Sequence, residues 1–301
     1  MRIPSLLRLL PLAVPLAIGA PAAFAEGASF AKRLAAPATG EVKVSNVAGS
    51  IVIRTWDRNE IDVKARLHSG DEKVDVTQQG DRSVVEVIYP RSFFGDRGSV
   101  DLEVSVPVGS RVDVSAVSAS IDAQGLRGES RLSSVSGRID SNVPPAAFEV
   151  KSVSGGIALT GDRGKSDLRV STVSGAAAVN GGAGRIDART TSGRIDLDVD
   201  PADTVRARTT SGEIELRGRL ARNGTIEMET VSGALSVHAM ADDGFRYDVA
   251  TLSGQIRNCM DKDAVRERRH GPGRSLEGTR GGGQGSVRLK SLSGSIDLCD
   301  R

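Results

Sequence analysis

Apolar and polar residues alternate in short runs along most of this chain, and the runs come in pairs. One pair is F-E-V-K-S-V-S-G-G-I-A-L, from Phe148 to Leu159. Phe148 and Val150 belong to the first run, S-V-S-G interrupts it, and Ile157 and Leu159 open the next. A period of two predicts strands with one buried face. The phrase returns around Gly137, Gly175, Gly193, Gly212, Gly233, Gly254 and Gly294. Ala119 takes the glycine's place in a further copy, and Gly49 in a distant one. Spacings from Ala119 to Gly254 are 18, 18, 20, 18, 19, 21 and 21 residues. Such self-similarity predicts stacked coils. Every copy runs in the same direction, so successive coils stack in parallel, and parallel crossovers are overwhelmingly right-handed. The expected fold is all-β: a right-handed parallel β-helix, or β-solenoid, with coils of about 18–21 residues.

Counting from the repeat glycine as zero gives a cross-section. Positions −7 and −5 are apolar in nearly every copy, and +2 is Ile in most. Position −2 is Val or Leu in seven of nine array copies and Thr in two, which predicts a switch of the apolar phase there; only Ala, Ser or Thr stands at −3. This predicts a corner at −3, with −2 joining the inward phase of the second strand. The glycine then either faces inward at a narrow place or has φ above zero. Position −6 reads Asp113, Arg131, Glu149, Arg169, Asp187, Arg206, Glu227, Asp248, Arg288, alternating in sign with one lapse at Glu227 and Asp248. Neighbours in adjacent strands pair best with opposite charges, so this row reads as register control. Position −1 is Ser in all nine copies, which predicts a hydroxyl ladder.

The ends depart from the repeat. Residues 26–40 carry no strand pattern and read as a flexible lead, and residues 41–110 as an irregular all-β N-terminal cap. The array runs from 111 to 301. The step from Gly254 to Gly294 is 40 residues, one coil plus an insertion at 261–285. That insertion is rich in glycine and mixed charge, and is expected to be a disordered loop.

Composition adds a compartment. Arg2 and Arg8 give a positive n-region, Leu6 to Ile18 is largely apolar and interrupted by prolines, and Ala23-Phe24-Ala25 offers a cleavage site. Residues 1–25 thus read as a signal peptide cleaved after Ala25, which implies an exported chain, periplasmic or extracellular. Cleavage removes two arginines and no acid, so the formal charge of +2 falls to zero. A neutral chain gives no general case for nucleic acid. No later stretch is apolar enough for a membrane span. The only cysteines, Cys259 and Cys299, each lie five residues after a repeat glycine. Stacked strands about 4.8 Å apart suit disulfide geometry, and an oxidising compartment favours a Cys259–Cys299 bridge.

Candidate chemistry is sparse. A catalytic serine needs its own base, and His68, His238 and His270 are scattered. Asp122 and Asp140, one coil apart, have the spacing of a glycosidase pair, yet the array has almost no aromatic platform for a sugar. Gly181 to Asp187 resembles a calcium-binding turn without its repeat, and no zinc spacing occurs. No metal or other cofactor is implied. Arg266, Arg268, Arg269, Arg274 and Arg280 make the insertion a candidate interaction loop, although acids nearby offset much of its charge.

The copies of S-V-S-G-x-I, the opening V-x-V-x-N-V-x-G-S-I from Val42 to Ile51, and the Val106-Pro107-x-Gly109 turn together resemble the DUF4097 family of β-strand-repeat proteins, often labelled as candidate adhesins. The resemblance covers roughly Gly40 onward. It implies an exported bacterial protein with a β-helical fold, and it brings no catalytic residues. The expected function is non-enzymatic: adhesion to, or binding of, an envelope or surface component, either polysaccharide or protein. The alternatives are an envelope element that self-associates through the solenoid ends and, less favoured, a glycan-active β-helix enzyme.

Overall fold

The computed structural model describes residues 28–69, 71–90, 98–240, 244–260, 266–267 and 273–299. Residues 1–25, expected to be a signal peptide, lie outside them. The described residues form 24 strands and no helix, so none of their helices could cross a membrane. The strands build a parallel β-solenoid of two main faces, with successive coils hydrogen-bonded in register.

The interior follows the alternation. Position +2 stacks Ile121, Ile139, Ile157, Ala177, Ile195, Ile214 and Leu235 directly over one another, and all are buried. Leu132, Val150 and Val170 make the matching column on the first face. Each such side chain contributes about 1.5–3 kcal/mol of apolar burial. A column of aliphatic residues keeps its shape from coil to coil, so no large aromatic is needed to fill it.

The coils are not stacked in the order of the sequence. At the N-terminal end, Arg82–Ile88 pairs with Glu41–Asn46 and Val100–Pro107 pairs with Gly49–Trp56. Both pairings are parallel. The coil formed by residues 82–107 thus lies outside the coil formed by residues 41–56, which itself pairs with the array through Arg111–Ala116 and Ser120–Gln124. At the other end, Gly285–Ser291 lies between Ile214–Thr230 and Phe245–Thr251. Ile296–Cys299 likewise lies between Leu235–Met240 and Ile256–Asn258. The last coil in sequence is therefore an interior coil in space, the tenth of eleven.

Reversed strands run along the outer coils at both ends. Glu60–Leu67 runs antiparallel along Val100–Pro107, and Ser29–Ala35 runs antiparallel along Glu60–Leu67. Lys73–Gln79 covers Arg82–Ile88 in the same way. At the far end Arg274–Arg280 runs antiparallel along Phe245–Thr251. An antiparallel cover ends the parallel stack and occupies edge groups that would otherwise recruit another chain.

Two segments expected to be unstructured are partly strands. In the lead, Phe30 and Leu34 pack against the core from Ser29–Ala35, and Lys32 Nζ donates to the Val76 carbonyl at 2.7 Å. In the insertion, Leu276 is buried. The glycines that suggested disorder serve a tight crossing instead. Residues 281–284 carry the chain from the outer to the inner neighbour of Phe245–Thr251, and Gly281 and Gly283 have φ of 59° and 66°.

Candidate functional site

The S-V-S-G corner is where sequence and structure differ most. The −3 hydroxyls point inward. Thr172, Thr190 and Thr209 are buried, and each accepts the amide of its own repeat glycine: Gly175 at 3.0 Å, Gly193 at 2.9 Å and Gly212 at 2.8 Å. The inward phase of −7 and −5 therefore continues to −3, and the chain turns at −2 and −1. The repeat glycines from Gly137 to Gly294 keep φ below zero. They are glycine because a Cβ would collide with the carbonyl of the residue at the same position in the adjacent coil, as at Gly193 over Gly175.

Position −2 consequently faces solvent, not the core. In spatial order the row reads Val47, Val117, Val135, Val153, Val173, Thr191, Thr210, Val231, Leu292, Leu252, as the rungs between successive corners show. Val135 is 45% exposed, Val173 47% and Leu292 50%. Ten positions at about 4.8 Å make a ridge about 43 Å long. The −1 serines run beside it. Their hydroxyls bond backward to backbone, Ser118 Oγ to the Val47 carbonyl at 3.0 Å and Ser136 Oγ to the Val117 carbonyl at 3.4 Å. The expected hydroxyl ladder is thus a series of serine-to-carbonyl bonds. No charged residue stands at −2 or −1 in the array.

The flanking faces are strongly charged and largely self-neutralised. Arg194 bonds Asp196, Glu213 and Glu215, each at 2.7 Å. Arg131 and Glu149 pair at 2.7 Å. In space, Arg288 stands between Glu227 and Asp248, and Lys43 stands beside Asp113. The −6 row therefore alternates without a lapse from Lys43 to Asp248.

The candidate catalytic groups are tied down. Asp122 lies opposite Asp140. Asp122 bonds Arg54 at 2.7 Å and Gln124 at 3.1 Å, and the Arg54 hydrogen bond holds its carboxyl below the usual range against the effect of burial. A general acid needs the opposite shift. Asp140 is chelated by Arg138 at 2.7 and 2.9 Å. Asp101 sits between Ser50 at 2.7 Å and His68 at 2.8 Å. Burial alone would raise this carboxyl, but the bonds from His68 and Ser50 keep it low. With the carboxylate in the middle, Ser50 has no base. Asp187 of the calcium-like turn is held by Arg189 at 2.9 Å. Among the described residues no cluster of His, Cys, Asp and Glu could hold a metal ion.

Of the arginines of the insertion, Arg274 and Arg280 can be placed with their side chains. Arg274 and Arg280 stand at opposite ends of one strand, facing Thr251 and Phe245, about 20 Å apart at strand rise. Arg274 Nη1 donates to the Gly254 carbonyl at 2.7 Å, fastening the cover to the last corner. Arg266 begins a two-residue strand, and Arg268 and Arg269 lie outside the described residues. Cys259 and Cys299 form a disulfide with Cα atoms 4.7 Å apart.

The repeated all-β coil agrees with what comparison finds. A family model described as Toastrack DUF4097 matches residues 91–299. The chain belongs to this family. Among solved structures, this Toastrack chain is similar to a candidate adhesin from Parabacteroides distasonis ATCC 8503, with a TM-score of 0.53 and 11% identity, over 91% of this chain and 98% of that one. At that identity the likeness concerns the fold. A candidate cell-adhesion protein from Clostridium sporogenes ATCC 15579 aligns over 90% of this chain and 98% of that one, at 8% identity and a TM-score of 0.25. No curated protein matches.

Proposed function

We propose that this Toastrack protein is an exported, non-enzymatic scaffold that binds a cell-surface or envelope component along its valine ridge. The ridge is the observation that carries the reading. Monomers rarely expose apolar patches beyond about 300–600 Å², and patches of that size are often functional. Eight of the ten positions along its roughly 43 Å are Val or Leu, each 36–50% exposed, with Thr191 and Thr210 between them. It is held rigid by a hydrogen-bonded rung at each corner, so a ligand would find it preorganised. The adhesin description of the Parabacteroides structure points the same way. The apolar leader and the disulfide support export. The pairing of Asp122, Asp140 and Asp101 supports a binding role over a hydrolytic one.

The test is binding of the full chain to fractionated envelope polysaccharides and proteins. The comparison is a variant carrying Val135→Ser, Val153→Ser and Val173→Ser. Each valine is half exposed, so the fold should persist. At about 1 kcal/mol of lost apolar burial per site, affinity should fall at least tenfold. Binding equal to the unaltered chain on every fraction would remove the ridge from the account.

A further inference from the structure

The final coil occupies a slot whose two walls are both made by earlier residues. One wall is Thr225 to Thr230 with Leu235–Met240, and the other is Phe245–Thr251 with Ile256–Asn258. The slot is matched in charge to the coil that fills it. Arg288 lies between Glu227 and Asp248, and Lys290 lies opposite Glu229. Asp297 meets Arg257, with an ion pair at 3.6 Å. Apolar Val287, Leu289, Ile296 and Leu298 are buried between the walls. The walls do not require that the coil come from the same chain. Thirteen residues, 261–273, separate the outer wall from the covering strand Arg274–Arg280. Arg266–Glu267 among them pairs with Arg274 and Ser275; with that two-residue pairing released, the stretch reaches about 43 Å when extended, enough to place residues 274–299 on a neighbouring molecule.

We propose that residues 274–299 are an exchangeable element, and that a second copy of this chain can fill the slot in trans. The cover and the coil move as one unit, because the crossing at residues 281–284 is short. Exchange leaves every slot contact intact, so it forfeits only the advantage of intramolecular closure and is favoured by concentration. The Cys259–Cys299 bridge fixes the outcome. Formed within one chain it locks a monomer, and formed between chains it seals the exchanged assembly.

Two full-length variants test this directly. Cys259→Ser supplies a coil with Cys299, and Cys299→Ser supplies a slot with Cys259, so neither can form the bridge alone. They are unfolded, mixed, refolded together with oxidised glutathione, and run on non-reducing gels. The expected product is a covalent heterodimer whose peptide map shows Cys259 joined to Cys299. It should rise with protein concentration and exceed by several-fold any dimer from either variant alone. Adding Arg288→Glu to the coil donor should cut it several-fold, and Asp248→Arg in the slot chain should restore it. A Cys259–Cys299 heterodimer indifferent to Arg288 would reflect collision of thiols and overturn the proposal. So would monomers only, or dimers no more abundant than each variant gives alone. Should the variants fail to refold, the unaltered chain refolded at rising concentration provides the second reading. A reducible dimer that grows with concentration and whose peptide map shows Cys259 joined to Cys299 supports exchange, and monomers throughout, or dimers joined through like cysteines, refute it.

Discussion

Gly193 shows what the repeat demands of a single residue. Its backbone is ordinary, its amide is capped by Thr190, and a side chain has nowhere to go. The obstacle is the Gly175 carbonyl, which is backbone and cannot swing aside. Gly193→Ala should therefore force two coils apart at their corner and cost about 2–4 kcal/mol, in the range of overpacking combined with a broken buried hydrogen bond. Chemical denaturation of the variant beside the unaltered chain measures this. Val153→Ser, two residues before a repeat glycine, should cost within about 0.5 kcal/mol because it faces solvent. The contrast explains a misreading from sequence. Valine at −2 looked like core because it is apolar, and threonine at −3 looked like a turn residue because it is polar. At Thr172, Thr190 and Thr209 the buried hydroxyl is satisfied by the amide of the repeat glycine, so polarity and exposure separate there. The parity of −7, −5 and −3 held the answer, since Thr190 continues the phase of Ile186 and Ala188.

At the level of elements, the coils themselves were legible and their order was not. Equal spacing shows that copies stack, and strands nearest in sequence are normally nearest in space. One local signal went against that default: Glu227 followed by Asp248. With Arg288 between them the sign alternation is complete. The same default hid the outer position of residues 82–107. Glycine content misled as well, because Gly281 and Gly283 make a short crossing over a strand end. The covering strand that follows from this has a defined task. Replacing residues 274–280 with a Gly-Ser stretch of equal length should bare the edge of Phe245–Thr251. Light scattering should then show association at concentrations where the unaltered chain remains dispersed. Unchanged dispersion would mean that the cover is dispensable.

The whole molecule is a rod whose register is written partly in charge, and this makes its stability depend on pH. Lys151 and Arg131 hold the Glu149 carboxyl below its ordinary range, Arg219 does so for Asp200, and Arg54 for Asp122. A carboxyl depressed in the folded state stabilises the fold above its unfolded pKa, about 4. That contribution is lost as pH falls through the lower folded value, because the unfolded chain then binds more protons. Thermal unfolding should be insensitive to these groups from pH 7 to about 5, and the midpoint should drop progressively below about pH 4. High salt should flatten the dependence, since most of the pairs are exposed. A midpoint unchanged to pH 3 would show that these pairs contribute nothing to stability.

The interior place of the final coil also bears on how the chain is built when it emerges from its N-terminus. Residues 245–258 are made before the coil they must rest against. Their nearest finished neighbour is then the coil ending at Met240, and docking there would set Asp248 against Glu227. Like charges in facing positions cost about 0.2–1 kcal/mol, a small bias applied at the moment of choice. The row thus acts as a reservation. It keeps a seat vacant for a segment not yet synthesised, so the rod closes by admitting a late arrival within its stack.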